Sequence, residues 1–375
     1  MIRIVISGYY GFANAGDEAM LAAIVGSLKD VIPDVEITVI TGNCAMTRKN
    51  HQVQAVHRFN LLGILAALKK SDILISGGGS LLQDVTSERS LYYYLLIMKL
   101  ALWLHKPVML YAQGIGPVRN QRARRAVRNV LQHVTMIGVR DADSKAELLS
   151  MGVTKPPVHV TADAVLSMHP VDKNIGGYIL KKHGIDGIRR RVGIAVRDWR
   201  GHTAYKEAIA KAADELQEKE DVSIIFIPMQ YPADVEAGKD IAAQMQTKAV
   251  LLEEAYTTVE FMSLMGCMDV VIANRLHALI FSALMGVPAT AVSYDPKIDS
   301  FIHLIGDTVC GTTEDVTAEA VVADVTAKLK RGGLEAEVKA KLNHLRRQSL
   351  RNAYLALRVL EGREGVRRRL QNRQS

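Results

Sequence analysis

A chain of 375 residues, 49% hydrophobic and 23% charged, exceeds what one hydrophobic core ordinarily serves and is too apolar to be disordered, so two folded domains are expected. Three cysteines, Cys44, Cys267 and Cys310, without any Cys-x-x-Cys pair speak against a disulfide framework or a zinc site and suit a reducing compartment. The formal charge of +8 implies anionic partners, while 5% aromatic content and the lack of a recognised nucleic-acid motif argue against DNA or RNA.

The first apolar run, residues 2–7, is closed by Gly8 and reads as a strand, being too brief for a signal-peptide core. Runs at 35–41, 73–76, 108–112 and 136–139 follow as strands. Their valine, isoleucine and leucine are unrelieved by polar alternation, the mark of a parallel sheet covered on both faces. Between them, 16–29, 61–70, 90–104, 120–133 and 141–151 have helical spacing. Residues 91–104, interrupted by Lys99, fall short of the roughly 20 a membrane-spanning helix needs, so a soluble protein is expected.

Proline, glycine and charge around Pro156-Pro157 and over 171–191 read as a connection. A second alternation follows, with strands at 192–196, 222–228, 270–273 and 289–292 and helices at 204–218, 232–246, 257–265 and 276–285. From Thr317 on the pattern is helical and charged, broken at Gly332-Gly333. The expected fold is α/β, with two tandem Rossmann-like domains (1–170 and 171–316) of the glycosyltransferase-B kind, an active-site cleft between them, and a basic helical segment (317–375) packing back on the first domain.

In open α/β sheets ligands bind beyond the carboxyl ends of strands, so the loops after strands are where chemistry belongs. After the first strand, Gly8-Tyr9-Tyr10-Gly11-Phe12-Ala13-Asn14-Ala15-Gly16-Asp17-Glu18 joins an aromatic, glycine-rich turn to two acids. The glycine spacing does not match a dinucleotide fingerprint. Aromatic rings in a loop suit stacking on a sugar, and Asp17 or Glu18 is as readily a helix cap as a base. Gly77, Gly78 and Gly79 after the third strand require close approach of a ligand phosphate or of a packed neighbour, and no Gly-Lys-Ser/Thr follows to make a Walker loop. Gln113-Gly114-Ile115-Gly116-Pro117 shares that ambiguity.

Arg140 at the end of a buried strand is either salt-bridged locally to Asp141 or Asp143 or aimed at an anion. Asn274-Arg275-Leu276-His277 sets a guanidinium and an imidazole at the start of an apolar helix, whose free amides favour anions. His277 supplies a proton near neutral pH, and Lys297 follows the next strand. Three arginine clusters, 119–128, 189–191 and 367–369, are either anion-attracting or solvated helix faces.

In their order and spacing, the aromatic loop, the Ser76-Gly77-Gly78-Gly79-Ser80 turn, Arg140 and Arg275-Leu276-His277 resemble the polysaccharide pyruvyl transferase family, in its CsaB branch. The resemblance implies phosphoenolpyruvate as co-substrate, with no other cofactor and no metal. Phosphate release would accompany formation of a 4,6-linked pyruvate ketal on an N-acetylmannosamine residue of a lipid-linked secondary cell-wall polymer precursor. It further implies Arg140, Arg275, Leu276, His277 and Lys297 as donor contacts. His277, Arg275 and Asp17 are the catalytic candidates, with Tyr9, Tyr10, Phe12, Asn14, Asp17 and Glu18 on the acceptor side. The acceptor would be an undecaprenyl-pyrophosphate-linked amino-sugar disaccharide, and the protein cytoplasmic and peripheral at the inner membrane surface. Asn274 stands where a small residue, serine or glycine, is expected. A nucleotide-sugar-dependent glycosyltransferase of the same architecture and a non-catalytic anionic-sugar binding protein are the alternatives.

Overall fold

The structure, a computed structural model, describes residues 1–85, 87–185, 187–199 and 201–362. Contacts divide the chain into two compact units. One comprises Met1–Phe12, Asp17–Met168 and the described residues from Leu345 on; the other comprises Ala13–Gly16 and His169–His344.

The first unit runs β1 (Ile2–Ser7), α1 (Ala15–Val31, of which the first two residues count with the second unit), β2 (Val35–Thr41), α2 (Cys44–His51), β3 (Gln54–His57), α3 (Leu61–Lys70), β4 (Ile73–Ser76), β5 (Gly79–Leu82), α4 (Glu88–Trp103), β6 (Val108–Ile115), α5 (Gln121–Leu131), β7 (Met136–Val139), α6 (Ala142–Ser150) and β8 (Val158–Val160). Its strands lie in the order β3-β2-β1-β4-β6-β7-β8, with β5 paired to β6, and every pairing is parallel. The apolar strands are buried as a covered sheet requires, with β4 and β6 buried at every residue.

β6 is longer than its apolar run suggests because it carries a bulge. The register with β7 shifts between Leu110 and Gln113, and Ala112 takes a φ of 49°, a left-handed conformation that costs an L-residue on the order of 1–3 kcal/mol. Its N–H leaves the ladder and bonds the buried Asn352 Oδ1 at 3.2 Å. Asn352 sits on α14 (Ala336–Glu361), and its Nδ2 donates to Thr161 Oγ1 and the Ser349 carbonyl, both at 3.0 Å. One buried amide thus holds the bulge that sends β6 on toward Gln113 and Gly114.

The second unit runs α7 (Lys173–Lys182), β9 (Arg190–Ala195), α8 (Ala204–Glu220), β10 (Val222–Phe226), α9 (Ala233–Ala242), β11 (Val250–Leu251), α10 (Thr258–Gly266), β12 (Val270–Ala273), α11 (Leu276–Leu284), β13 (Ala289–Ser293), α12 (Pro296–Ile305), β14 (Gly311–Thr312) and α13 (Ala318–Arg331), which closes on Gly332. Its strand order is β11-β10-β9-β12-β13-β14, again wholly parallel. α8 and α13 bury Tyr205, Ile209, Leu216, Val321 and Val325 in the cluster that holds Val192, Ile194 and Ile272 of the sheet.

The stretch 171–191 is not only a connection, since α7 lies within it. Gly176 serves close helix packing: a methyl group there would stand 2.6 Å from the Ser263 backbone of α10, and the Gly176 N–H bonds Ser263 Oγ at 2.6 Å. Among the described residues no helix is long and apolar enough to cross a membrane. Arg367, Arg368 and Arg369 lie outside the described residues.

Asn352→Leu should lower the unfolding free energy by about 2–4 kcal/mol, because the Ala112 N–H is left buried without an acceptor in a conformation it needs help to hold. Urea denaturation checks this. An unchanged midpoint would show that the bulge needs no side-chain support.

Candidate functional site

In the second unit the candidate residues gather at the carboxyl ends of β9, β12 and β13, three neighbouring strands. Asn274, just past β12, is buried and spans two loops: its Oδ1 accepts the Arg197 N–H at 2.8 Å and its Nδ2 donates to the Arg197 carbonyl at 3.1 Å. Serine or glycine at 274 would reach neither, which accounts for the asparagine. The Tyr205 hydroxyl, pushed up to about 12 by burial, stays protonated and donates to the same carbonyl at 2.6 Å.

Arg275 is the extended N-cap residue of α11 and makes no side-chain cap. Its guanidinium is buried, with Nη2 donating to Asp234 Oδ1 and, at 3.2 Å, to Gln230 Oε1. The other Asp234 oxygen accepts the N–H groups of Met229 at 3.1 Å and Gln230 at 2.9 Å. The carboxylate that neutralises Arg275 therefore also closes the turn after β10. Arg275 Nε is buried without a hydrogen-bond partner among the described residues. Leu276 is core.

His277 lies against Gly16. A methyl group at Gly16 would stand 2.1 Å from His277 Nδ1, so only glycine permits that approach. The short segment Ala13–Gly16 belongs to this unit, with Asn14 forming an antiparallel bridge to Gln230 and the Ala15 N–H bonding the Met229 carbonyl at 3.0 Å. Asn14 Oδ1 accepts the Gly16 N–H at 3.0 Å. Asn14 is thus built into the support of Arg275 and His277.

Lys297, in the first turn of α12, pairs with Asp295 at 3.1 Å and places Nζ 5.6 Å over the Tyr294 ring. Tyr294 packs against Trp199 with centroids 4.3 Å apart, and the Arg197 guanidinium lies 5.5 Å from the Trp199 ring and 5.7 Å from the Tyr294 ring. Sequence reasoning missed Arg197, Trp199, Gln230 and Asp234. For the first two the signal is present, an arginine and a tryptophan directly after a buried strand; Asp234 looks like any acid in a first helical turn.

In the first unit, Arg140 follows β7 and is surrounded by local partners. Its Nε bonds Asp141 Oδ2 at 3.3 Å, its Nη2 bonds Ser80 Oγ at 3.2 Å, and its Nη1 lies 3.6 Å from Asp163 Oδ2. It is locally neutralised, by Asp141 and an unforeseen Asp163.

The aromatic loop divides. Tyr9 is partly exposed and stacks on Phe12, centroids 4.3 Å apart and planes 15° from parallel. Tyr10, expected against a sugar face, is instead 1% exposed, and burial raises its hydroxyl well above the ordinary range. Its ring fills the space over Gly77, where a methyl group would stand 2.0 Å from the hydroxyl oxygen. Gly78 likewise meets the Met20 sulfur, so these two glycines accommodate packed neighbours. Glu18, expected on the acceptor side, is buried, accepts the Gly11 N–H at 2.7 Å and pairs with His51 Nε2 at 2.9 Å; it shapes the loop. Asp17 lies beside Gly79. Of the basic clusters, Arg189 and Arg190 pair with Asp221 and Glu220, and Arg124 with Glu147. Among the described residues no group of three or more His, Cys, Asp or Glu side chains is placed to hold a metal ion.

Two parallel sheets flanked by helices, with polar residues collected at their carboxyl edges, define an α/β protein of the glycosyltransferase-B-like fold class. The chain belongs to the polysaccharide pyruvyl transferase family, whose profile matches residues 14–296 and so includes Arg140, Arg275 and His277. Comparison with curated proteins finds no match. Among solved structures it is similar to the UDP-GlcNAc 2-epimerase of Methanocaldococcus jannaschii, with a TM-score of 0.67 at 13% identity over 94% of this chain and 100% of that one. It is similar to the UDP-GlcNAc 2-epimerase of Neisseria meningitidis bound to UDP-GlcNAc, at a TM-score of 0.63 and 13% identity over 95% and 100%. A glycosyltransferase from Rickettsia africae gives a TM-score of 0.59 at 14% identity over 99% of each chain. At such identities the likeness is one of fold.

Asp234→Ala should destabilise the protein by about 3–5 kcal/mol, because the Arg275 guanidinium is left buried and unneutralised. The double variant Asp234→Ala/Arg275→Met should lose clearly less than the sum of its parts in chemical denaturation. Strict additivity would mean that the pair does not couple.

Proposed function

We propose that the chain transfers the pyruvyl group of phosphoenolpyruvate to a sugar as a ketal, in the manner of the CsaB branch. The observation that carries this reading is the arginine-histidine pair at the start of α11. Arg275 is buried and held by Asp234, and His277 lies on Gly16 at the same helix terminus, an arrangement suited to an anion that must also receive a proton.

Ketal formation protonates the methylene carbon of the enol phosphate, lets one sugar hydroxyl attack the cationic carbon, expels phosphate and closes with the second hydroxyl. The two hydroxyl protons balance, one ending on the methyl carbon and one on phosphate. His277 is assigned the proton transfer to carbon or to leaving phosphate. Arg275 and Lys297 are assigned to the carboxylate and phosphate, and Arg140 is carried over as a further anion ligand. Asp17 is the proposed base, with Tyr9 and Phe12 for the sugar face. The acceptor class is a 4,6-diol of N-acetylmannosamine on an undecaprenyl-pyrophosphate-linked precursor at the cytoplasmic membrane face.

A second reading, an enzyme acting on nucleotide sugars, is favoured by the Trp199–Tyr294 ring pair with Arg197 over it, a surface suited to a base and its phosphates. Saturation-transfer NMR with phosphoenolpyruvate against a panel of nucleotide sugars separates the two.

Arg275→Ala and His277→Ala should each lower phosphate release from phosphoenolpyruvate with a lipid-linked disaccharide by about a hundredfold or more. Gly16→Ala, which drives a methyl group into the His277 ring, should lower it by at least about tenfold. Near-normal turnover in the first two variants would sink the assignment.

A further inference from the structure

Helices α3 and α4 cover one core cluster, to which the first contributes Ile64 and Leu68 and the second Leu91, Leu95 and Met98. Their opposite faces meet solvent, where a helix ordinarily carries polar and charged residues. The outward stripe of α4 reads Arg89, Tyr92, Leu96, Lys99 and Trp103, spaced three or four residues apart and all exposed. The loop before α3 adds Phe59, and the start of α3 adds Leu61 and Leu62. Leu62 is 81% exposed, Phe59 74% and Trp103 72%. The Arg58 guanidinium lies 4.8 Å from the Phe59 ring and 5.1 Å from the Tyr93 ring, and the Tyr93 hydroxyl donates to the Arg58 carbonyl at 3.1 Å. The loop before α3 is thereby fastened to α4, and the two apolar stretches lie on adjoining helices of the same unit. Single exposed apolar side chains need no explanation; five on two adjoining helices, with Phe59 just ahead of one of them, do.

Charge selects the occupant. α3 ends in Lys69 and Lys70 and contains no acid, and α4 sets Arg89 and Lys99 against Glu88 alone. Leucine and phenylalanine enter an acyl boundary, tryptophan and tyrosine rest at headgroup level, and lysines meet lipid phosphates. We propose that this face of the first unit docks the protein on an anionic lipid surface. The inference deepens the reading above, in which the acceptor is carried on a lipid, but it is argued from these residues alone and concerns none of the groups assigned to chemistry.

The test uses the full chain and vesicles of phosphatidylglycerol with phosphatidylcholine, against phosphatidylcholine alone. Co-sedimentation should require the anionic lipid and weaken as salt is raised. The variant Leu62→Ser/Leu96→Ser/Trp103→Ser should lose at least about tenfold in vesicle affinity, with its thermal midpoint and its phosphate release on a water-soluble acceptor unchanged. The chain has 2 tryptophans, so Trp199→Phe leaves Trp103 as sole reporter, and brominated phosphatidylglycerol should quench it. Undiminished binding by the triple variant, or an unquenched Trp103, would overturn the proposal. So would a loss of self-association in light scattering with vesicle binding intact, which assigns the face to a second copy of the chain. Vesicle docking without any phosphate release from phosphoenolpyruvate would remove the donor chemistry and leave the docking face standing.

Discussion

A buried guanidinium costs several kcal/mol unless it is paired and hydrogen-bonded, and in the second unit Arg275 is such a group. Asp234 meets that cost with one oxygen and ties down the amides of Met229 and Gln230 with the other. Gln230 in turn bridges to Asn14, and Asn14 holds the amide of Gly16, on which His277 rests. The position of the imidazole thus depends on an ion pair it does not touch. Removing the carboxylate would disturb three separate stretches of chain at once.

The first unit solves the same problem differently. Arg140 also stands just past a buried parallel strand, but each of its nitrogens already has a neighbour: Asp141, Ser80 and, at ion-pair distance, Asp163. Arg275 keeps a buried Nε without a hydrogen-bond partner among the described residues. A further acceptor is therefore better received at Arg275, whereas at Arg140 an incoming anion has to compete with two carboxylates. The proposed donor chemistry is weighted toward the second unit for this reason, and the assignment proposed for Arg140 rests on family resemblance more than on its surroundings.

Periodicity made the architecture legible. Unrelieved valine, isoleucine and leucine runs mark both parallel sheets, because a strand covered on two faces leaves no polar alternation. Two features that escaped have signals that come from partners distant in sequence. α7 looked like a linker because Gly176 and Gly177 interrupt it, yet Gly176 is there for the backbone of α10. The extension of β6 past Ala112 depends on Asn352, 240 residues away. The same limit applies to the site. Arg275 and His277 stood out from their place at a strand-to-helix junction, whereas Asp234 was hidden because nothing local distinguishes a buried counter-ion from an ordinary helix-start acid.

The aromatic loop shows how a motif can mix two kinds of residue. Tyr10 and Glu18 are there for the loop itself: one fills the space over Gly77, the other binds the Gly11 amide and His51. Asn14 and Gly16 are there for Arg275 and His277. What remains with a surface to offer is Tyr9, backed by Phe12, together with Asp17 beside Gly79. Partial burial and the nearby Asp17 carboxylate both raise the Tyr9 hydroxyl above its ordinary range, so it remains protonated at neutral pH and available as a donor. A ring of that kind can press its face on a sugar while its hydroxyl bonds a ring substituent. Under the proposed function the loop would meet its acceptor through Tyr9, Phe12 and Asp17, with Tyr10 and Glu18 fixing where those groups stand.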